Sequence, residues 1–327
     1  HSHSAPADKM GGEASKLPLN SHFTRVEKEV LSPTDDAFWS GLLSAPPGLY
    51  SSIAPDRIRA ALKDHPRNVA ILSRKAVNNL IKSAKKDGAL TASEQQGVLA
   101  STALLSRLLP ILYEGEGETK FVQTVFWEGK LPAAAGEQTA DDKGEITLAA
   151  NAAGQTAEDP EGLEGKDLAA LMVESVFALL FKVGFTVTAA EKEMGWCGGI
   201  AKALDASPQR QFDANRAELL KLILTSASHT LFVTPDEYKA EANKWLVAYT
   251  TRSKEEAALI IQSLSAVIFS YDPVGMGIPY SSSLVTDSRE AVVDLAVQTL
   301  IVLLDYVIPS AQVLPPARCS ASASSPL

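Results

Sequence analysis

With 327 residues, 46% of them apolar and only 6% aromatic, the chain is long enough for one large or two ordinary domains, and its abundant alanine suits close-packed helices better than a β-sandwich. A net charge of −9 argues against nucleic acid, whose phosphates need a basic face, and equally against adhesion to anionic lipid by charge alone. Cys197 and Cys319 stand far apart without a CxxC pair, so neither a disulfide framework nor a zinc site is expected and a reducing cytosolic compartment fits.

No charged-then-apolar secretory signal opens the sequence. Met10-Gly11-Gly12-Glu13-Ala14-Ser15 matches the N-myristoylation pattern, which makes Gly11 the lipid acceptor if translation starts at Met10 and residues 1–9 are misread upstream sequence. One acyl chain holds a membrane with an association constant of only about 10⁴ M⁻¹, so a second hold is needed. Lys16, Arg25 and Lys28 are offset by Glu13, Glu27 and Glu29, and no cysteine lies near for palmitoylation. A protein partner at the membrane is the remaining candidate. Residues 1–33 are expected to form a flexible N-terminus, followed by a helical domain over 34–308 and a disordered tail over 309–327.

Thr34 to Trp39 reads as a helix start, with Asp35 and Asp36 at the positive end of the dipole and Phe38 and Trp39 as core anchors. From Pro66 to Lys85, Val69, Leu72, Val77, Leu80, Ile81 and Ala84 recur at helical spacing, and Arg74, Lys75, Lys82 and Lys85 form the opposite, solvated face. Gly88 marks the stop. Thr91-Ala92-Ser93-Glu94 is a capping box opening a helix that Pro110 should kink or end. Residues 128–166 are rich in Gly, Ala, Thr, Asp and Glu and read as a disordered acidic insert; the Asp141–Glu145 cluster lacks the ligand spacing of a calcium loop.

Leu168 to Val183 is apolar nearly all round with Glu174 as its internal charge, and is too short to cross a bilayer, so it predicts a buried helix. Asn215 to Val233 is amphipathic and carries His229, read as a core or boundary histidine. Thr234-Pro235-Asp236-Glu237 and Ser253-Lys254-Glu255-Glu256 open two further helices. The second runs into the connector YDPVGMGIPY, 271–280. Pro273 and Pro279 stop both flanking helices, and Gly275 and Gly277 permit a sharply folded path, so Tyr271, Asp272, Pro273, Gly275, Gly277, Pro279 and Tyr280 are the candidate interaction loop. Its bland alternative is a stiff helix–helix link without chemistry. Asp287-Ser288-Arg289-Glu290 then opens a helix so widely apolar that it needs neighbours on more than one face, which predicts that the remainder of a longer chain packs on 287–308.

The connector, Asp287–Glu290 and QTLIVLLD (298–305) together resemble the high-temperature-induced dauer-formation protein family, a distant relative of dymeclin. The segments TDDAFW (34–39), ALLSRLLPILYE (103–114) and ANRAELLKLILT (214–225) match it as well, as do Met10-Gly11 and Ser15-Lys16-Leu17. The chain departs from the family at Met276, where an aromatic residue is usual, and at Ser281, where an asparagine is. The resemblance implies a protein of the cytoplasmic face of Golgi and trans-Golgi membranes that acts in cargo sorting and dense-core secretory vesicle formation with protein partners. It also implies that members run considerably further than this chain.

Strand signals are nearly absent and capped helices recur without a strict period, so the expected fold is all-α, an irregular armadillo-like stack of helical hairpins. No GxSxG, HExxH or P-loop is present, and no catalytic set, metal site or cofactor is expected. A non-enzymatic peripheral scaffold is the leading expectation. Two alternatives stay open: a soluble cytosolic adaptor without a lipid, and a hydrolase or transferase using Asp272, Tyr280 and His229 gathered by folding.

Overall fold

Prolines and side-chain caps decide where the helices of this chain begin. The computed structural model describes residues 11–132, 161–189, 191–192, 195–196, 210–271 and 288–306; among these the chain is helical and forms no sheet, the fold class that composition predicts. Outside the helices a parallel β-bridge joins Val183 to Val187.

The first half runs α1 (Gly11–Lys28), α2 (Asp36–Leu42), α3 (Pro55–Asp64), α4 (Pro66–Lys85), α5 (Ala92–Leu108) and α6 (Glu116–Val122). Asp35 caps α2 by accepting from the Phe38 amide at 3.1 Å. Pro55 and Pro66 occupy the first turns of α3 and α4, where no amide donor is missed. Thr91 and Glu94 exchange hydrogen bonds as a capping box for α5. Lys86 reaches the same Glu94 at 2.7 Å, which closes α4 and α5 into a hairpin. Helix α5 ends at Leu108, and Pro110 leads into a 3₁₀ turn at Ile111–Tyr113.

The second half runs α7 (Leu168–Leu180), α8 (Arg210–Ala227), α9 (Pro235–Ala240), α10 (Lys244–Thr250), α11 (Lys254–Phe269) and α12 (Ser288–Asp305). The capping boxes at Thr234 and Ser253 form as their spacing predicts. Helix α4 packs against α3, α5 and α7; α5 packs against α8, and α8 against α12, which pairs with α11. Helices far apart in sequence cover one another, and a continuous core runs from Trp39 through Leu72, Leu105, Phe126 and Leu220 to Leu264. Each large apolar side chain so buried is worth about 1.5–3 kcal/mol against solvent exposure.

Three expectations need correction. The segment expected to be a flexible N-terminus forms α1 over Gly11–Lys28, and Leu19, Phe23 and Val26 on it are buried, as is Leu31 beyond it. Their i, i+4, i+7 spacing is a helical stripe that the mixed charges around it disguise. Arg57 pins α1 to α3 through Glu27 at 2.7 Å, together with Asn20 and Thr24.

Second, the charged face of α4 is not uniformly solvated. Lys82 and Lys85 are exposed, but Arg74 is 2% and Lys75 9% exposed. Arg74 donates to the Gly129 carbonyl and pairs with Glu164 at 2.8 Å, while Lys75 pairs with Asp36 at 2.7 Å and Glu161 at 2.5 Å.

Those partners give the third correction, because the acidic insert is narrower than 128–166. Its two ends are ordered against α4: Leu163 is buried, the Gly165 amide donates to the Gly129 carbonyl at 3.0 Å, and Arg67 donates to the Pro132 carbonyl at 3.2 Å. Gly129 takes a positive φ of 65°, and a Cβ there would collide with the Lys166 backbone, so only glycine closes this neck. Residues 133–160 lie outside the described residues.

Candidate functional site

Of the sequence-predicted loop, Tyr271 is described, at the end of α11, where its amide donates to the Ile268 carbonyl at 3.4 Å. Asp272, Pro273, Gly275, Gly277, Pro279 and Tyr280 lie outside the described residues, and so does Cys197. Gly11 is the first residue of α1.

What the structure does show is how the connector is anchored. Arg289, in the first turn of α12, donates to the Ser270 hydroxyl at 3.3 Å, so one side chain bridges the two ends of 272–287. The same guanidinium lies 3.5 Å from Asp213 on α8. Asp213 is 2% exposed and accepts from Arg216 at 2.9 Å. Arg216 in turn donates to the Thr186 carbonyl at 2.8 Å, lies 3.7 Å from Glu191, and stacks over the Trp196 ring at 4.9 Å. Two cations and two carboxylates alternate, so each buried charge has an opposite neighbour.

Local sequence places every member. Asp213 sits in the first turn of α8, where the helix dipole favours a carboxylate, and Arg216 follows one turn later on the same face. Asn215 donates to the Phe185 carbonyl at 2.8 Å and ties α8 to the turn after α7. Gly195 adopts φ of 78°, and its missing Cβ makes room for the Ser263 hydroxyl on α11. That approach lets Trp196 insert fully, its indole donating to the Leu180 carbonyl at 2.9 Å and its amide to Ser263 at 3.3 Å. Arg216, Asn215 and Trp196 donate to backbone carbonyls, and Asp213 is engaged by the two guanidinium groups, so the cluster holds the local backbone in place. The chemistry available is positional: a clamp that sets where the connector leaves and re-enters the fold. Sequence reasoning named Arg289 only as part of a helix start and missed Asp213 and Arg216; their i, i+3 spacing was the available signal.

His229, the histidine of the enzymatic alternative, lies elsewhere. It meets the Tyr113 ring edge-on at 5.1 Å, and Tyr113 donates to the Ser226 carbonyl at 3.0 Å while Ser226 and Tyr249 share a hydrogen bond of 2.8 Å. Burial raises the pKa of both tyrosines and lowers that of His229. A neutral imidazole against an aromatic wall is a packing arrangement. Asp272 and Tyr280 being outside the described residues, the trio is not assembled among them.

A polar groove of about 700 Å³ opens between α2, α4 and α5, lined by Asp36, Lys75, Asn78, Lys82, Glu94 and Glu161 among others. Burial works against the Lys75 ammonium, but the bonds to Asp36 and Glu161 more than offset it and hold the pKa above its ordinary value. Among the described residues no group of His, Cys, Asp and Glu is arranged to hold a metal, and no helix is long and apolar enough to cross a membrane.

Comparison with known proteins identifies relatives of the sequence. A family model described as high-temperature-induced dauer-formation protein matches residues 10–322. Protein HID1 of Homo sapiens is 30% identical over 318 residues, covering 91% of this chain and 37% of that protein, and Protein HID1 of Mus musculus is 30% identical over the same shares. Protein HID1 of Dictyostelium discoideum is 25% identical over 385 residues, covering 90% of this chain and 41% of its own length. The chain therefore spans well under half the length of these relatives. None of these proteins carries the name of an enzyme. No solved structure matches.

Proposed function

The chain belongs to the high-temperature-induced dauer-formation protein family, and from that premise we propose that it is a non-enzymatic scaffold held on the cytoplasmic face of Golgi and trans-Golgi membranes. There it acts in protein sorting and dense-core secretory vesicle formation, through protein partners and an acyl chain on Gly11. Family membership carries this reading, and the placement of Gly11 supports it. Helix α1 includes Gly11 and is buried further along through Leu19, Phe23 and Val26, so a lipid there would be joined to the folded body through helix. Since one acyl chain binds only weakly, protein contacts supply the rest of the hold.

Helix α12 supports a second element of the proposal, a further layer of helices contributed by the rest of the family's length. Val292, Ala296 and Thr299 face α8 and α11, while Val297, Ile301 and Leu304 present an exposed apolar stripe, with Ile301 60% and Leu304 62% exposed. The relatives hold more than half their length outside the match.

The test is mass spectrometry of the native N-terminus combined with vesicle flotation of the protein and its Gly11→Ala variant. An acylated Gly11 and flotation lost in Gly11→Ala are expected. An unmodified residue upstream of Met10 would replace the acylated scaffold by a soluble adaptor.

A further inference from the structure

Glu174 is the charge that interrupts the apolar α7, and the proposed membrane attachment makes no use of it. It is exposed, and with Phe177, Ala178 and Phe181 it forms an i, i+3, i+4, i+7 stripe along one face of the helix. Opposite lie Arg252, just before α11, and Glu256 and Leu259 on its first two turns, at i, i+4, i+7. Between the two stripes is an open cleft of about 290 Å³.

The walls are fixed. Phe177 is held between Tyr249, at 6.0 Å between ring centroids, and Arg252, whose guanidinium lies 4.8 Å over the ring. Phe181 packs near Trp196 at 6.2 Å. Arg252 is committed to Glu256 at 2.7 Å, and Glu256 also completes the capping box with Ser253. Glu174 has no ion pair and no hydrogen bond among the described residues. The cleft therefore combines an aromatic floor, a neutralised far wall and one uncommitted carboxylate at its rim.

We infer that this cleft docks a helical segment of a partner protein that carries aliphatic side chains on one face and a lysine or arginine one turn away. Covering the floor with an apolar partner alone would strip water from Glu174 without replacing it, so a fitting partner must bring a cation. Two stripes at helical spacing, one on either side of the cleft, suit a helix-in-groove site, and no sheet edge exists among the described residues to receive an extended strand. This deepens the scaffold reading and rests on it for the premise that the ligand is a protein.

The test uses the full chain and a fluorescein-labelled amphipathic helical peptide with leucine on one face and lysine on the other, against a matched peptide with glutamate in place of lysine. Fluorescence anisotropy should show saturable binding of the leucine–lysine peptide only. Glu174→Lys and Ala178→Trp should each weaken it roughly tenfold, with melting temperature and circular dichroism unchanged. Glu290→Lys, an equal change in net charge on exposed α12, should leave it within about twofold. Absent binding, equal binding of both peptides, or equal loss in Glu174→Lys and Glu290→Lys would overturn the inference. So would a dimer of the chain itself that Glu174→Lys dissolves, since the occupant would then be a second copy. Vesicle flotation through Gly11 is read separately, so failure of the cleft and failure of the membrane scaffold are distinguishable.

Discussion

Asp213 lies between Arg216 and Arg289, and its removal takes the nearest carboxylate from the buried Arg216 guanidinium, which keeps Glu191 only at 3.7 Å, while Arg289 retains the Ser270 hydroxyl. Asp213→Ala should cost about 3–5 kcal/mol in urea unfolding, the cost of leaving a buried charge without its partner. By contrast Glu29→Ala, which removes an exposed partner of Arg25, should stay within about 0.5 kcal/mol. His229 gives the fold a pH dependence. Burial against Tyr113 depresses its pKa, so the unfolded chain takes up a proton more readily than the folded one. The contribution of the neutral imidazole is complete above about pH 6.5 and is lost as pH falls through the lower folded value. Stability of the wild type should decline as pH falls below about 6.5, and His229→Gln should flatten that slope; denaturation series at stepped pH would measure it.

At the scale of the element, helix starts are where local sequence has most authority. The hydrogen-bonded Lys86 ammonium, followed by the amide and hydroxyl of Thr91 in the capping box, brings the Glu94 carboxyl down to about 2. Thr91→Ala should cost about 1 kcal/mol, measured by urea unfolding, because the Glu94 amide loses its acceptor. Such boxes use residues three positions apart, so their spacing alone revealed those at Thr91, Thr234 and Ser253. Helix α4 shows the limit of the same logic. Periodicity set Arg74 and Lys75 apart from the apolar face but read them as solvated, whereas both are buried and pair with Glu164 and Glu161, some ninety residues away. Helix α10 escaped notice because it is short, although Trp245 and Tyr249 on it are buried.

Across the whole molecule, α8 is the helix on which the later layers meet, since α5, α7, α10 and α12 all pack against it. Leu220→Ala at its buried centre should cost about 2–5 kcal/mol, whereas Leu304→Ala on the uncovered face of α12 should change the stability of this chain by under about 0.5 kcal/mol, both read from urea midpoints. The sequence by itself determined the all-α class, the caps, the helix-ending Pro110 and the family, because each depends on residue type over a few positions or on short matched segments. Only the tertiary structure decided that α1 belongs to the core, that the neck of the acidic insert is bolted to α4, and that Arg289 ties Ser270 to Asp213. Those outcomes depend on which distant groups share a desolvated volume, and a one-dimensional pattern carries no distance between them.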